Sequence, residues 1–255
     1  MRMNSPIGKA ILSLVREGNY AHPGEEEAIE LVFASVSEDP SRLILDVGCG
    51  RGGTADYVRR HGWGRVTAVD IDNETLSFAA KEYPKVRFIR EDVMKIGALW
   101  HSAFDLIYLF NSFYAFPDQD EALRQIGRTA RQGATLLVFD YTDVEGAFRQ
   151  WANSDQAFWA PIDLRGFSGR LEDTGWDLES TTDITDRYRL WYRQLVARFQ
   201  SKKSEIVGGF GEEWYDYAYT TYTDLLRLIE NNVVGGVIIK ARRAPDKSRI
   251  KRFNP

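Results

Sequence analysis

Short apolar runs alternate with amphipathic segments along the middle of the chain. Runs typical of buried strands occupy residues 42–48, 65–72, 85–92, 104–111 and 134–141. Segments with apolar residues at helical spacing lie between them, at 54–62, 73–83 and 118–133. The last of these segments closes on Gly133, a residue type that commonly stops helices. Strands alternating with helices in this way imply right-handed crossovers, so the sequence predicts an α/β fold with a mainly parallel, doubly wound sheet.

The pattern changes towards both ends of the chain. Residues 1–40 are helical and polar in pattern, and helical segments after Asp143 flank two further strands, at 176–185 and 233–243. About half of the aromatic side chains are crowded between Tyr141 and Tyr222. We find no internal repeat and no low-complexity linker. The sequence therefore predicts one domain over 1–255, with a helical lid built from 1–40 and from the aromatic insertions 144–175 and 186–232.

The composition excludes several classes of protein. Hydrophobic residues make up 44% and charged residues 27% of the 255 residues, which is the balance of a globular chain. A net charge of -4 and a pI near 5.6 argue against nonspecific nucleic-acid binding. No apolar run approaches the ~20 residues that cross a bilayer, and we see no secretion signal. With Cys49 as the single cysteine, the sequence predicts a cytoplasmic protein that binds neither nucleic acid nor membranes.

The most informative motif is a glycine-rich turn after the first predicted strand. Asp46, Gly48, Gly50 and Gly52 stand at alternate positions before a helical segment. Glycines in such a turn let the backbone approach a ligand where a Cβ would collide. Gly48, Gly50 and Gly53 also satisfy the weaker dinucleotide pattern Gly-x-Gly-x-x-Gly. Because Asp46 would repel a pyrophosphate but can face an ammonium, an NAD(P)-dependent oxidoreductase is the less favoured alternative.

Acidic residues follow three consecutive predicted strands. Asp46 belongs to the first strand, Asp70 ends the second, and Asp92 ends the third. Parallel strands bring their carboxyl ends to one edge of a sheet, where Asp70 can hold a ribose diol and Asp92 an adenine amino group. A single such acid is equally well explained as a helix N-cap. Three acids in register with the glycines indicate a ligand that carries an amine, a ribose, an adenine and a sulfonium charge.

The segments LILDVGCGRGG, VTAVDID and IREDV resemble the class I S-adenosylmethionine-dependent methyltransferases. NSFYAFPD and ALRQIGRTARQGATLLVFD resemble the fourth and fifth strand regions of that family. The resemblance implies a Rossmann-like, seven-stranded sheet of order 3-2-1-4-5-7-6 with an antiparallel last strand. It also implies that S-adenosylmethionine is bound and S-adenosylhomocysteine released. The cofactor-binding residues that it implies are Asp46, Gly48, Cys49, Gly50, Asp70, Ile71, Asp92, Val93, Asn111 and Ser112.

The segment EGNYAHPGEEEA near the N-terminus is similar to a pattern in small-molecule methyltransferases. These include the phosphoethanolamine and sarcosine N-methyltransferases and some sugar O-methyltransferases. The similarity implies that Tyr20 covers the cofactor methyl and that His22 lies nearby. Many relatives also carry a His-His pair before a Phe-Pro-Asp segment, and Tyr114 and Ala115 stand there in this chain. A base carried over from those histidines is therefore missing, which weakens an O-methyltransferase assignment.

Methyl transfer depends mainly on aligning a nucleophile with an activated methyl group and excluding water. An amine needs only to arrive unprotonated, whereas a hydroxyl usually needs a base within reach. The candidate catalytic residues are Tyr20, His22, Tyr114 and Asp140. The alternative is a structural role, with His22 and Tyr114 packed among their neighbours and Asp140 capping the next helix. No cluster of His, Asp or Glu has metal-ligand spacing, so no metal is predicted.

Aromatic residues of the insertions are the candidate substrate wall, namely Trp151, Trp159, Trp191, Trp214 and Tyr215. Rings in such a wall can hold a methylated ammonium by cation–π contact. The alternative is that they pack helices onto the sheet or form a subunit interface. The sequence thus predicts transfer of a methyl group to a nitrogen or oxygen of a small-molecule acceptor, by a monomer or homodimer. A non-catalytic protein that binds S-adenosylmethionine is the other alternative.

Overall fold

The computed structural model describes residues 2–151 and 159–245, which contain one seven-stranded sheet. The strands are β1 (Leu43–Val47), β2 (Arg65–Asp70), β3 (Arg87–Arg90), β4 (Phe104–Phe110), β5 (Ala130–Asp143), β6 (Trp176–Asp183) and β7 (Val234–Arg243). They lie in the order β3-β2-β1-β4-β5-β7-β6. Strands β1 to β5 pair in parallel, whereas β7 is antiparallel to both β5 and β6. The predicted fold class, strand order and antiparallel last strand are confirmed.

Helices cover both faces of the sheet. They are α1 (Pro6–Arg16), α2 (Glu25–Phe33), α3 (Gly53–Arg60), α4 (Asn73–Glu82), α5 (Gln119–Thr129), α6 (Ala147–Trp151), α7 (Phe167–Asp173), α8 (Thr185–Ser201), α9 (Lys203–Phe210) and α10 (Glu212–Glu230). Two 3₁₀ turns cover Val93–Ala98 and Phe113–Ala115. In the part of the chain that the structure describes, no helix has the length and apolar character needed to cross a membrane.

The sheet separates two apolar layers, and alternate residues of β4 belong to each of them. Leu106, Tyr108 and Phe110 of this strand belong to the layer that contains the buried faces of α1, α2, α8 and α10. Ile107 and Leu109 point the other way, into the layer formed with α5 and α7. Alternate residues of a strand face opposite sides of a sheet, so a nearly all-apolar strand is buried on both faces.

The N-terminal helices and the late helices α8–α10 share one face of the sheet. The indole Nε1 of Trp191 in α8 donates a hydrogen bond of 2.9 Å to Glu27 in α2. Glu25 accepts from Arg16 of α1 at 2.7 Å and from Arg198 of α8 at 3.3 Å. The predicted lid segments 1–40 and 186–232 therefore meet over this face.

Helix α7, within the predicted lid insertion 144–175, has a different position. Its Phe167 and Leu171 are buried in the layer with α5, on the opposite face of the sheet from α8 and α10. This part of the insertion supports the sheet from behind and does not join the lid segments. Within the described residues, only the stretch around α6 and Trp159 remains beside the lid.

The helix predicted over 118–133 ends earlier than the sequence indicated. Helix α5 stops at Thr129, and Ala130 already pairs with Phe104 as the first residue of β5. The register between the strands then shifts, and Gly133 lies in this irregular stretch with a φ of +75°. The prediction that Gly133 terminates the helix is wrong, because its left-handed conformation serves an irregularity of the strand.

Candidate functional site

A cavity of about 350 Å³ lies at the carboxyl ends of β1, β2, β4 and β5. Ligands of doubly wound folds bind at this edge of the sheet, outside the ends of the strands. The structure brings most of the predicted cofactor residues together in the cavity wall, namely Gly48, Gly50, Asp70, Ile71, Asp92, Val93, Asn111 and Ser112. It also adds residues that the sequence did not single out, from the N-terminal segment, the loop after β4, and α10.

The glycine-rich turn is held in place by β2 and by the loop after β4. The backbone N–H groups of Gly48 and Cys49 donate to the carbonyl of Val69 at 2.8 and 2.9 Å. Gly48 has a φ of +80°, and a Cβ added to it would lie 2.5 Å from the Cβ of Ser112. A side chain at this position would therefore push apart the two loops that form this wall of the cavity.

Asp70 is the most heavily engaged carboxylate in the cavity wall. Its Oδ2 accepts from the Gly50 N–H at 2.8 Å, and its Oδ1 accepts from the Asp72 N–H at 3.0 Å. The ammonium of Lys9 in α1 lies 3.4 Å from Oδ2. The next residue, Ile71, is 63% exposed and offers an apolar surface beside the carboxylate. This geometry suits a ribose diol with a planar base beside it.

Further acids extend this wall. Asp92 caps the 3₁₀ turn Val93–Ala98 by accepting from the Met94 N–H at 2.9 Å, and it lines the cavity as well. Asp72 and Glu91 also line the cavity. Neither residue was among the predicted site residues, although Glu91 precedes Asp92 directly and Asp72 lies two positions after Asp70.

Asp46 and Cys49 are buried behind the cavity wall. Asp46 accepts a hydrogen bond of 3.0 Å from the Tyr108 hydroxyl, and burial raises its pKa to about 8. Burial likewise raises the pKa of the Cys49 thiol well above its usual value. Neither residue is among those that line the cavity. The expectation that Asp46 faces a bound ammonium is therefore not met, because its carboxyl group turns towards Tyr108 inside the core.

Asn111 and Ser112 lie between the acidic part of the cavity wall, which contains Asp70 and Asp92, and a second part formed by aromatic side chains. The Ser112 hydroxyl donates to the Val47 carbonyl at 2.8 Å. Asn111 has a φ of +46°, and its Oδ1 accepts from the Tyr188 hydroxyl at 3.2 Å. The amide nitrogen Nδ2 of Asn111 is buried without a hydrogen-bond partner. A buried, unpaired donor is costly in a folded protein, so this group is available to a bound ligand.

The loop after β4, the end of β5 and α10 form an aromatic part of the wall. Tyr114, Phe116, Tyr141 and Tyr222 line the cavity here. The Tyr114 and Tyr141 rings meet edge to face with centroids 5.1 Å apart, and Trp159 lies 5.3 Å from Tyr141. Tyr114 and Trp159 are the members of this group that belong to the predicted site residues, and Trp159 contacts Tyr141 without lining the cavity itself. The signal for Tyr141 was its position directly after Asp140, at the end of a strand that contributes to the cavity edge.

His22 is buried outside the cavity lining, with 1% of its surface exposed. Its Nδ1 lies 3.2 Å from the Pro23 carbonyl, so Nδ1 is the protonated nitrogen, and Nε2 accepts from the Thr54 hydroxyl at 2.9 Å. Burial lowers the pKa of His22 to about 3. The ring also packs 4.5 Å from Phe110. Both nitrogens are thus engaged, which fits the structural alternative and not a catalytic base.

Asp140 is fully buried below the turn Phe113–Ala115 and does not line the cavity. Its Oδ2 accepts from the Phe113 N–H at 2.8 Å, and its Oδ1 accepts from the Tyr141 N–H at 2.7 Å. Burial raises its pKa to about 7, against the opposing effect of these N–H donors. Asp140 therefore positions the loop that carries Tyr114.

Tyr20 and four of the predicted wall residues, including Trp159, lie outside the described lining of the cavity. The Tyr20 hydroxyl donates to Glu26 at 3.0 Å, although the adjacent Ala21 does line the cavity. Trp191 and Tyr215 are buried among the helices, and Trp214 packs against the same layer. These three rings match the alternative in which aromatics pack the lid helices. The side chain of Trp151 lies outside the described residues.

Comparisons with known proteins agree with this arrangement. Residues 45–138 match the methyltransferase domain family. A phosphoethanolamine N-methyltransferase of Triticum aestivum is 24% identical over 199 residues, which cover 74% of this chain and 38% of that protein. An O-methyltransferase of Pyrenophora dematioidea is 28% identical over 191 residues, covering 70% of this chain and 68% of that protein.

A solved structure has a similar fold. Phosphoethanolamine N-methyltransferase 2 of Haemonchus contortus, in complex with phosphomonomethylethanolamine and S-adenosylhomocysteine, aligns with a TM-score of 0.82 and 18% identity. The alignment covers 93% of this chain and 57% of that one. The chain thus spans well under two thirds of the length of the phosphoethanolamine N-methyltransferases that it matches.

Proposed function

Because the chain belongs to the class I S-adenosylmethionine-dependent methyltransferases in sequence and fold, we propose that it transfers a methyl group from S-adenosylmethionine to a small-molecule acceptor. The observation that carries the proposal is Asp70, at the end of β2. Its carboxylate lines the cavity and is oriented by the N–H groups of Gly50 and Asp72. Two carboxylate oxygens fixed in this way suit the two hydroxyls of a ribose.

The charge of the cavity supports the same cofactor. S-adenosylmethionine carries an ammonium and a sulfonium against one carboxylate, so its net charge is positive. The described lining contains four acids, Asp70, Asp72, Glu91 and Asp92, against the single cation Lys9. Opposite charges at this range attract strongly in a partly buried site.

The residues that would hold the cofactor divide its parts among them. The turn at Gly48 and Gly50 would take the methionine part, Asp70 the ribose, and Ile71 with Asp92 the adenine. When bound, S-adenosylmethionine supplies a methyl group that is already activated by the sulfonium. The contribution of the protein is to align the acceptor and exclude water, and such alignment supplies on the order of 7–11 kcal/mol in model reactions.

The proposed reaction has a small molecule as its partner. We infer a cytoplasmic enzyme that acts as a monomer or homodimer and does not bind nucleic acid. The net charge of -4 and the single, buried and free Cys49 support this setting.

Calorimetric titration tests the proposal in two steps. We expect micromolar binding of S-adenosylhomocysteine and no binding of NAD or NADP. We then expect a gain of 14 daltons in an acceptor when a panel of small amines, phenols and alcohols is incubated with S-adenosylmethionine. Binding without any turnover would indicate a non-catalytic cofactor-binding protein, and tighter binding of a nicotinamide would overturn the proposal.

A further inference from the structure

We propose that the acceptor is an amine carried on an uncharged, apolar or aromatic body, and not a phosphorylated or carboxylated molecule. The inference rests on the proposed methyl transfer and narrows its substrate class. It depends on two properties of the aromatic part of the cavity wall. Among the residues that the structure describes, this part contains no positively charged side chain to meet an anion and no group placed to deprotonate a hydroxyl.

The aromatic part of the wall is distinct from the acidic part. It is formed by Tyr114, Phe116 and Pro117 after β4, by Tyr141 at the end of β5, and by Tyr222 of α10. The acids of the lining follow β2 and β3, on the other side of Asn111 and Ser112. An acceptor placed against the aromatic wall therefore meets ring faces and phenol oxygens.

The two cations described near this wall, Lys9 and Arg16, each have an acidic partner. Lys9 is the one positively charged side chain in the described lining, and its ammonium lies 3.4 Å from Asp70. Arg16 is buried close by, and its positive charge opposes the rise in the pKa of Tyr222, but its guanidinium donates to Glu25 at 2.7 Å and does not line the cavity. A phosphate or carboxylate on the acceptor would lose its hydration without gaining an opposite charge, which is strongly unfavourable.

The potential bases near the wall are also engaged or held protonated. His22 uses both ring nitrogens, and Asp140 accepts from the backbone of the turn below Tyr114. Burial raises the pKa of Tyr222 to about 12, and it also raises the pKa of Tyr114 and of Tyr141 above the usual value of a phenol. These phenols therefore stay neutral at physiological pH and cannot remove a proton from an alcohol.

An amine on an uncharged body needs neither a cation nor a base in the aromatic wall. Its nitrogen lone pair forms the new N–C bond while the C–S bond of the sulfonium breaks, and the electron pair of that bond stays on sulfur. An acceptor that exists as an ammonium in solution loses a proton to water before it binds. The methylated nitrogen carries a positive charge after the transfer and can then release a remaining N–H proton to water. Neutral phenol oxygens can accept N–H hydrogen bonds, and ring faces tolerate the positive charge of the methylated product.

Four related acceptors test the inference with S-adenosylmethionine and the full chain. Tyramine carries an amine and a phenol, tyrosol replaces the amine by an alcohol, and tyrosine adds a carboxylate to tyramine. Phosphoethanolamine supplies an amine with a phosphate. We expect tyramine to be methylated on nitrogen, with kcat/KM at least about tenfold above that for tyrosine or phosphoethanolamine. Tyrosol should gain no methyl group.

A pair of variants tests the effect of a positive charge in the aromatic wall. Phe116→Lys places a cation in the aromatic wall, and Phe116→Met matches the size change without the charge. We expect Phe116→Lys, and not Phe116→Met, to raise the ratio of tyrosine to tyramine turnover by about tenfold. An unchanged ratio contradicts the charge argument.

The outcomes separate this inference from the proposed function. The proposed substrate class is overturned if tyramine is methylated no faster than tyrosine or phosphoethanolamine. It is also overturned if none of the three is methylated. Methylation of tyrosol, or of tyramine on its phenol oxygen, does so as well. The proposed function fails independently, when S-adenosylhomocysteine does not bind and nothing in the wider acceptor panel gains 14 daltons.

Discussion

The Lys9 ammonium lies 3.4 Å from the Asp70 carboxylate and joins α1 to the end of β2 at the cavity wall. Both side chains are close to 10% exposed, at 11% and 9%. Leu12, one turn further along α1, lines the cavity as well. The ion pair therefore helps to keep α1 over the part of the cavity that is proposed to hold the cofactor.

Replacing Lys9 by Met should accelerate release of S-adenosylhomocysteine. Loss of one partly exposed ion pair weakens the attachment of α1 to the end of β2 by up to ~1 kcal/mol, which corresponds to a roughly 2–5-fold higher dissociation rate constant. Stopped-flow displacement measures this rate. Lys81→Met, at the exposed end of α4, is the matched control and should leave the rate unchanged. Equal rates for wild type and Lys9→Met would show that the pair does not restrain α1.

Replacing Asp70 by Asn should weaken binding of S-adenosylhomocysteine by roughly 1–3 kcal/mol. The variant keeps the shape of the side chain but loses the charge that strengthens hydrogen bonds to a diol. Calorimetry gives the affinity, with Asp216→Asn, an exposed position in α10, as the control. An affinity equal to wild type would remove Asp70 from the cofactor site.

Because folded Asp46 holds a proton near neutral pH, the protein should become less stable as the pH rises through neutrality. Burial raises its pKa from 3.8 to about 8 in the folded state, so the folded protein binds a proton that the unfolded chain has already lost. The free energy of unfolding should therefore fall above pH 4, by up to about 1.4 kcal/mol per pH unit, and level off above pH 8. His22 changes stability only below pH 6.5, since its folded pKa is lowered to about 3.

Urea denaturation at pH 6.5, 7, 7.5 and 8 measures this slope. Asp46→Asn mimics the protonated carboxyl group and can still accept from the Tyr108 hydroxyl. The variant should lose most of the Asp46 contribution, while the contribution of Asp140, whose pKa is raised to about 7, remains in the lower half of the range. The assignment of the proton to Asp46 does not survive if both proteins show the same slope.

His22 should prove dispensable as a base but important for folding. His22→Gln keeps an acceptor for the Thr54 hydroxyl, whereas His22→Leu leaves that hydroxyl unpaired in the core. We expect the Gln variant to retain most of kcat with an unaltered pH profile. The Leu variant should lose roughly 1–3 kcal/mol of stability. A large fall in kcat for a well-folded His22→Gln protein would restore His22 as a catalytic candidate.

The sequence predicted the part of the site that depends on local geometry. Strand ends, the turn at Gly48 and the acids at Asp70 and Asp92 are encoded within short segments, and all of them reach the cavity. The prediction that Asp46 faces the ligand failed because sequence spacing does not reveal towards which face of the sheet a side chain points near the end of a strand. In the structure its carboxyl group pairs with Tyr108 inside the sheet layer.

The remaining wall depends on contacts between distant segments. Tyr222 reaches the cavity from α10, and Lys9 reaches Asp70 over 61 positions of sequence. No local pattern distinguishes Tyr222 from Tyr215, which is buried among the helices of the same aromatic stretch. Periodicity identifies the apolar face of each helix, but only packing decides which rings on that face border the open space.

Two glutamates of α2, Glu25 and Glu27, join helices from opposite ends of the chain. Glu25 holds Arg16 and Arg198, and Glu27 holds Trp191. Helix α1, which contributes Lys9 and Leu12 to the cavity wall, is thereby linked through α2 to α8, whose Tyr192 stacks on the cavity residue Tyr222. A displacement of α1 away from the cavity would strain the contacts of Glu25, which also hold α8. The acidic and aromatic sides of the cavity should therefore open together and not one at a time.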